Sequence, residues 1–322
     1  MMAPRIAAGV VILLAPAALF ASMAFGSVDI ALPDILGALT GSGDDVHREI
    51  VWRLRLPRAL AAFACGALLA LAGALLQVLL RNPLADPYLL GVSGGAATAA
   101  LAAMLLGASA IVTQAASFAG AALTALGIVG FALGRAGWNP YRVLLAGVAL
   151  SSAFGAVISL LLTLAPASQV QGMLFWLFGD LSSATQSWPA WVVLACVAAA
   201  VQTQAMALNV LALGEDQARA LGVGVTPLQW LAFGCATLAT GAAVLVGGAI
   251  GFVGLVTPHL LRLAGIHDHR ALLPLSAALG GAFLCAADTV ARSAAPPAEL
   301  PAGAVTALIG VPVLLGLLWR ER

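Results

Sequence analysis

Residues 58–95 read RALAAFACGALLALAGALLQVLLRNPLADPYLLGVSGG, and this stretch decides the fold. Its first part, up to Leu80, is an almost uninterrupted apolar run of the length that one helix needs to cross a bilayer, about twenty residues. Two prolines and an asparagine then break the helical pattern. A glycine-rich segment, Gly91–Gly95, opens the next apolar run. The stretch therefore predicts two membrane-spanning helices joined by a tight, irregular connection.

Similar apolar runs recur along the whole chain of 322 residues. Hydrophobic residues make up 62% of the sequence and charged residues only 8%, whereas a soluble domain has roughly 25% charged residues. This composition excludes an ordinary soluble protein and predicts an all-α integral membrane protein with about ten transmembrane helices. Since no segment between the runs is long enough for a separate domain, residues 1–322 are predicted to form one transmembrane domain.

The predicted spans have ends defined to about four residues. The first is interpreted as an uncleaved span, because its apolar stretch is longer than a signal-peptide core of about 7–15 residues. The seventh and eighth share one apolar run, which Gly247, Gly248 and Gly251 interrupt. The ten spans are residues 6–25, 58–80, 90–108, 112–134, 142–165, 189–209, 228–246, 247–264, 271–290 and 303–319.

The basic residues limit the chemistry and indicate the topology. All 14 are arginine, so a phosphate-binding loop with its lysine is impossible, and ATP hydrolysis of that type must belong to another chain. The net charge of +1 gives no reason to expect nucleic acid as a partner.

The distribution of arginines favours a topology with both termini in the cytoplasm. Arg53, Arg55 and Arg58 oppose this bias at the outer mouth of the second span, where they have a functional role, snorkel to lipid headgroups or pair with nearby acidic residues.

A second polar segment, Leu213–Val223, is predicted to form a short amphipathic helix between two spans. Glu215 and Arg219 are four residues apart in the order that favours an ion pair, and Gly222 suits the end of a helix. On physical grounds alone, a solvated connecting helix explains the segment equally well.

A third motif places Gly248, Gly251 and Gly254 at three-residue spacing, which predicts a smooth helix face for close packing. His267-Asp268-His269 follows, but adjacent residues on a helix point apart, so a metal site is not expected there.

Asp288 lies within a predicted span, where a carboxylate is functional by default. Because Arg292 is four residues away, a local ion pair is an equal alternative.

Two other classes of function have weaker support. An ion-coupled secondary transporter should carry several intramembrane ionisable groups, and Asp288 is the only clear one. An intramembrane enzyme needs a cluster of nucleophile, base or metal ligands, for which His259 with Asp268 is the best candidate.

Taken together, the motifs resemble the FecCD family of permeases, the membrane subunits of type II ABC importers for ferric siderophores, haem and vitamin B12. The motifs occur in the same order as in the family, from about Val51 to Leu318. The C-terminal third of the chain looks most like vitamin B12 permeases. It is carried by Arg55-Leu56-Pro57-Arg58, Asn82-Pro83-Leu84-Ala85, Gly91-Val92-Ser93-Gly94-Gly95-Ala96, Gly214-Glu215 with Ala218-Arg219 and Leu221-Gly222, Gly251-Phe252-Val253-Gly254-Leu255-Val256 with Pro258-His259 and Arg262, Asp268-His269-Arg270, Ala287-Asp288, and Glu299-Leu300-Pro301 with Gly303.

The resemblance implies the type II ABC importer permease fold, with ten transmembrane helices per subunit and a homodimer whose pathway follows the dimer axis. It implies two cytoplasmic ATPase subunits, which hold ATP and Mg, and one periplasmic substrate-binding protein. This chain is then expected to bind no cofactor and to catalyse no reaction. It would move a metal chelate across the bacterial inner membrane by alternating access.

The resemblance also assigns roles to three groups of residues. The segment that couples the permease to the ATPase is expected to contain Glu215, Asp216, Ala218, Arg219, Leu221 and Gly222. The pathway and inner gate are expected at Asn82, Pro83 and Leu84 and at Asn139, Pro140 and Tyr141, although vitamin B12 permeases tend to carry small hydroxyl residues at this second loop. Docking of the binding protein is expected at Arg55, Arg58 and Arg292.

Overall fold

The structure, a computed structural model, describes residues 4–26, 28, 30–41, 44–132, 138–182, 184, 187–296 and 298–320. This part of the chain is almost entirely α-helical and contains no strand. A π-helical turn (Ile50–Arg55) joins α3 to α4, and a 3-10 turn (Pro87–Leu90) precedes α5. The helices are α1 (Pro4–Ala24), α2 (Leu32–Thr40), α3 (Asp45–Glu49), α4 (Leu56–Leu79), α5 (Val92–Leu105), α6 (Ala110–Ala132), α7 (Pro140–Leu164), α8 (Ala167–Leu177), α9 (Trp188–Thr203), α10 (Ala205–Leu213), α11 (Glu215–Ala220), α12 (Val225–Gly247), α13 (Val253–Leu263), α14 (His269–Ser293) and α15 (Ala302–Arg320).

The predicted spans correspond to helices in the structure. Among the described residues, six helical stretches are long and apolar enough to cross a bilayer, and α9 with α10 makes a seventh that is bent by 62°. Three shorter apolar helices, α5, α13 and α15, account for the remaining predicted spans. The all-α membrane fold is therefore confirmed. The apolar pattern does not predict α8, because eleven residues that include Gln169 and Gln171 are too short and too polar for a span.

The run at residues 247–264 is not one continuous helix. Helix α12 ends at Gly247, because Gly248 adopts a φ of 68°, a conformation that glycine tolerates. Helix α13 begins only at Val253, after Phe252 with a φ of 69°. The prediction that three glycines share one helix face is therefore wrong, since Gly248 and Gly251 lie between the helices and only Gly254 lies within α13.

Helix α4 forms the centre of the bundle, and 89% of its span is buried inside the chain. Two glycines allow neighbouring helices to reach its backbone. A β-carbon at Gly66 would overlap the carbonyl oxygen of Gly280 in α14, and one at Gly73 would overlap that of Gly254 in α13. In a bilayer, where lipid is as apolar as leucine, such small residues allow the close van der Waals contact that holds helices together.

The connection from α4 to α5 is an irregular loop that local hydrogen bonds hold in shape. It starts at Arg81, a non-glycine residue with a φ of 46°. The side chain of Asn82 accepts a hydrogen bond from the backbone N–H of Leu84 at 2.9 Å, and that of Asp86 accepts one from the N–H of Tyr88 at 2.8 Å. The loop is anchored to α4 by Gln77, whose Nε2 donates to the carbonyl of Ala85 at 3.4 Å. These bonds satisfy backbone groups that would otherwise be exposed in an apolar setting.

Asp86 is a buried carboxyl group of this loop, with 5% of its surface exposed. Burial raises the pKa of its carboxyl from 3.8 to about 6, because the charged form loses hydration. Backbone hydrogen bonds from Tyr88 and Leu255 oppose this increase in pKa without cancelling it. The charge state of the loop therefore changes close to neutral pH.

The first testable prediction concerns the contact between α4 and α13. Replacing Gly254 by leucine puts a side chain 2.6 Å from the carbonyl oxygen of Leu69. We expect Gly254→Leu to lower the free energy of unfolding by about 1–3 kcal/mol or more through overpacking. Gly251→Leu is the matched control, because a β-carbon at Gly251 has no neighbour within 4 Å. Thermal unfolding in detergent measures both, and equal melting temperatures would contradict the packing argument.

The second prediction concerns the pH dependence of stability. Between about pH 4 and pH 6, folded Asp86 holds a proton that the unfolded chain has lost, so stability falls as the pH rises through this window. Asp86→Asn keeps the acceptor for the Tyr88 N–H and removes the charge. We expect it to match the wild type near pH 4 and to exceed it at pH 7.5 by about 3 kcal/mol at most. Unfolding measured at both pH values tests this, and an unchanged pH dependence in the variant would refute it.

Candidate functional site

The predicted coupling segment forms a discrete helix, α11, of six residues between α10 and α12. Gly214 starts it with a φ of 134°, and Gly222 ends it with a φ of 80°, so glycine is required at both turns. Ala218 is fully buried and fixes the helix against the bundle, whereas Asp216 and Arg219 are exposed. Leu221 is 68% exposed immediately after the helix. The segment around α11 therefore presents a small surface with both charged and apolar groups.

Glu215 is the polar centre of this region. Its carboxylate lies 3.5 Å from the guanidinium of Arg219, which confirms the pair that the spacing predicts. It also lies 3.5 Å from the guanidinium of Arg81 and accepts a hydrogen bond from Gln229 at 3.1 Å. The Arg81 contact joins α11 to the loop between α4 and α5. No local pattern in the sequence indicates this contact, because the two residues are far apart in the chain.

The predicted gate residues occupy two separate turns. Asn82, Pro83 and Leu84 lie in the irregular loop. Asn82 and Pro83 line a cavity of about 310 Å³, together with Gln77 and Arg262. Asn139 caps α7, where its side chain accepts hydrogen bonds from the backbone N–H groups of Tyr141 and Arg142 at 3.0 and 3.3 Å. Pro140 occupies the first turn of α7, and the side chain of Tyr141 is 79% exposed.

The lining of this cavity includes a polar contact between Gln77 and Arg262, which the sequence does not reveal. Gln77 donates from Nε2 to the carbonyls of Gly254 and Leu255 at 3.3 Å each, and its Oε1 accepts from Arg262. The residues come from α4 and α13, so a single amide side chain connects the two helices beside the loop. Since buried polar groups are stabilised only when they are paired, this arrangement fixes the register between the helices.

The segment His267–His269 has a structural role. Asp268 caps α14 by accepting from the backbone N–H of Arg270 at 3.0 Å, and its carboxylate lies 2.6 Å from the Arg270 guanidinium. These contacts, with a hydrogen bond from Asn209, lower the pKa of Asp268 below its usual range. Asn209 also contacts Nδ1 of His269 at 2.6 Å. Within the described residues, no group of three or more potential metal ligands is found.

Two of the three arginines predicted to dock a binding protein, Arg55 and Arg292, are buried within the chain. The guanidinium of Arg55 donates to the carbonyls of Met23 and Ala24 at 2.8 Å each, and that of Arg292 donates to the Ser22 hydroxyl at 2.9 Å. Both residues are only 4% exposed. Their side chains are therefore not freely exposed, although both line a cavity of about 610 Å³ together with Arg53 and Arg58. Their role in docking a binding protein stays a prediction.

Arg58 belongs to a partly buried ionic cluster. Its guanidinium lies 2.8 Å from Asp288 and 2.8 Å from Glu299, and Asp288 is fully buried. Arg292 lies 3.5 Å from the second oxygen of Asp288, so the predicted local pair exists within a larger group. Neither Asp288 nor Glu299 is near Arg58 in sequence, which is why the motif alone could not show this pairing. A cavity of about 610 Å³ adjoins the cluster and is also lined by Arg53 and Asp180.

Residues 12–320 match the FecCD transport family. A vitamin B12 import system permease protein, BtuC, of Citrobacter koseri is 42% identical over 84% of this chain and 83% of its own length. A cobalamin import system permease protein, BtuC, of Halobacterium salinarum is 43% identical over 86% of this chain and 75% of its own length.

The fold also matches solved structures. A structure described as an inward-facing conformation of a metal-chelate type ABC transporter has a TM-score of 0.87 and 31% identity, and covers 99% of this chain and all of that one. PsaBC from Streptococcus pneumoniae, solved with a Fab, has a TM-score of 0.54 and 17% identity over 83% of this chain and 92% of its own, and supports the fold alone. With the family match spanning nearly the whole chain, this protein belongs to the FecCD transport family.

Proposed function

We propose that this chain is the permease subunit of an ABC importer that moves a metal chelate, and that the chelate is of the cobalamin type. The observation that carries the proposal is the identity of 42–43% to vitamin B12 and cobalamin permeases over 84–86% of this chain. Haem and ferric siderophores are the rival cargoes, since they belong to the same range of substrates that the resemblance implies.

The pathway is proposed to run along the axis of a homodimer, beside α7. Only 11% of the α7 span is buried within the chain, although it is long and apolar. Its exposed surface combines large apolar side chains, such as Leu160 and Leu164, with small and hydroxyl residues. The hydroxyls of Ser152, Ser159 and Thr163 donate to carbonyls of their own helix. Such a surface offers few strong contacts to a bulky chelate, which suits a pathway that must release its cargo.

Helix α11 is proposed to dock on a cytoplasmic ATPase subunit, which binds ATP and Mg. The exposed Leu221 with Asp216 and Arg219 supplies apolar and charged contacts to such a partner. Because Glu215 contacts Arg81, a displacement of α11 would be transmitted to the loop that holds Asn82 and Asp86. This connection gives ATP binding in the partner a physical route to the inner gate.

Ion-coupled secondary transport has less support. The buried carboxylate that such a mechanism would use, Asp288, already contacts Arg58 and Arg292. The positive charge of two guanidiniums beside this carboxylate disfavours the binding of a coupling metal cation there. The remaining partners in the proposal are a second copy of this chain and a periplasmic binding protein, in a bacterial inner membrane with both termini in the cytoplasm.

The third prediction tests the cargo. Cells that lack their own permeases would express this chain with its ATPase and binding protein and receive radiolabelled cobalamin, haem or a ferric siderophore. We expect uptake of cobalamin that stops when ATP is depleted and persists when the proton gradient is collapsed. Uptake of haem or a siderophore alone would contradict the proposed cargo but would still support the proposed importer. Uptake driven by the proton gradient would refute the importer.

The fourth prediction tests the route from α11 to the gate loop. We expect Arg81→Ala to reduce transport about fivefold at unchanged ATPase activity, because a coupling contact of this size is worth about 1 kcal/mol. Arg270→Ala is the matched control, since it removes another exposed ion pair, with Asp268, that does not involve α11. The exchange Arg81→Glu with Glu215→Arg should restore part of the transport. Equal transport by Arg81→Ala and Arg270→Ala would contradict the proposed route.

A further inference from the structure

The cavity of about 310 Å³ beside the loop between α4 and α5 has a basic lining. Arg81, Arg262, His267 and His269 are among its lining residues, and none of the described residues that line it carries a carboxylate. A single water molecule needs only about 10–15 Å³ of such a volume, so the cavity has room for a small polyatomic ligand. The excess of basic groups favours a ligand with negative charge.

The two arginines keep hydrogen-bond donors for such a ligand. The guanidinium of Arg262 donates to Oε1 of Gln77, a neutral acceptor, and within the described part of the chain it has no carboxylate partner. Arg81 lies 3.5 Å from Glu215, and 49% of its side chain is exposed. A guanidinium has several N–H donors in a planar fork, which matches the oxygens of a phosphate or a carboxylate. Arg262 is therefore a partly buried cation whose charge no lining group balances.

His269 defines the ligand more closely. Nδ2 of Asn209 donates to Asp268 at 2.8 Å, so Oδ1 of Asn209 faces His269, where it accepts from the backbone N–H at 2.8 Å and lies 2.6 Å from Nδ1. Because an amide oxygen can only accept, Nδ1 carries the proton, and in the neutral ring Nε2 is an acceptor. His269 is only 4% exposed, and its Nε2 has no hydrogen-bond partner among the described residues. The cavity therefore combines an unused acceptor with cationic donors.

A ligand that satisfies both groups needs negatively charged oxygens and an acidic hydrogen. Inorganic phosphate and phosphate monoesters have both near neutral pH, because their second pKa is about 6. Sulfate, carboxylates and phosphodiesters are ionised at this pH and have no such hydrogen to donate. Nε2 of His269 is shielded from solvent, so the ligand reaches it when a lining side chain moves aside. The long side chains of the two arginines have the rotamer freedom for such a shift.

We infer that this cavity binds a phosphate monoester or inorganic phosphate, with charged oxygens on Arg262 and Arg81 and the phosphate hydroxyl donating to Nε2 of His269. The group is either free in solution or the headgroup of a lipid of the phosphatidic acid type, since both sources share this chemistry. The lining comes from α4, α10, α13 and the start of α14 as well as from the loop, so a bound phosphate would join the loop to these helices. The inference does not depend on which chelate the chain carries.

Equilibrium binding of radiolabelled inorganic phosphate to the full-length permease in detergent tests the site, with unlabelled sulfate as a competitor. We expect saturable binding to the wild type and much weaker competition by sulfate than by unlabelled phosphate. Arg262→Met should weaken phosphate binding by about tenfold or more, the value of a charge-assisted hydrogen bond. His269→Asn retains a donor near the position of Nδ1 and removes the acceptor. It should weaken phosphate binding about fivefold and leave the weak binding of sulfate unchanged.

Arg142→Met is the matched control, since Arg142 is exposed and does not line the cavity, and it should bind phosphate as the wild type does. Arg262→Met also leaves Oε1 of Gln77 without its donor. If that variant does not fold, His269→Asn and the comparison with sulfate decide the outcome. Absence of saturable phosphate binding, equal affinities for phosphate and sulfate, or an equal loss of binding in Arg142→Met would overturn the inference.

Lipid nanodiscs distinguish the two sources of the phosphate. If the ligand is a lipid headgroup, phosphatidic acid in the bilayer should displace the labelled phosphate, whereas phosphatidylglycerol, a phosphodiester, should not. If the ligand is a soluble phosphate, neither lipid should displace it. Both of these results support the site. Equal displacement by the two lipids would contradict the role of the acidic hydrogen and would overturn the inference.

Discussion

The fold depends on the backbone-to-backbone contact of α4 with α13 and α14. At Gly66 and Gly73, the absence of a β-carbon allows the carbonyl groups of Gly280 and Gly254 to approach the axis of α4. Hydrophobic burial does not drive this packing, because lipid tails solvate leucine as well as the protein interior does. Van der Waals contact between closely spaced helices takes the place of hydrophobic burial as the source of stability. The rest of the bundle surrounds α4, which is buried over most of its length.

Polar interactions are concentrated at the two ends of the bundle. At one end, Glu215 joins the short helix α11 to the loop after α4, and Gln77 joins that loop to α13. At the other end, Arg58 holds Asp288 and Glu299 together. Since charges are costly in hydrocarbon, clusters at the ends leave the middle of the bundle apolar. This arrangement suits a protein that lets a large solute pass without binding it tightly.

The exposed surface of α7 differs in chemistry from the buried surface of α4. It carries the hydroxyl groups of Ser152, Ser159 and Thr163 among large apolar side chains such as Leu160. In the proposed homodimer these hydroxyl groups would lie beside the pathway, and the apolar side chains would contact the second copy or lipid.

The sequence by itself determined the helical membrane fold, the approximate spans and the place of α11, because apolar runs, glycines and the spacing of Glu215 and Arg219 are local signals. The pair of Asp288 with Arg292, which lie one helical turn apart, was one of two alternatives that the sequence left open for this carboxylate. Only the tertiary structure decided that Arg58 belongs to that pair, that Arg55 and Arg292 face inward, and that Gly248 and Gly251 lie outside the helices. These features depend on which helices become neighbours and on backbone angles at single residues. Apolar periodicity specifies that a helix spans the membrane, but the partners of its few polar side chains are set by packing between distant segments.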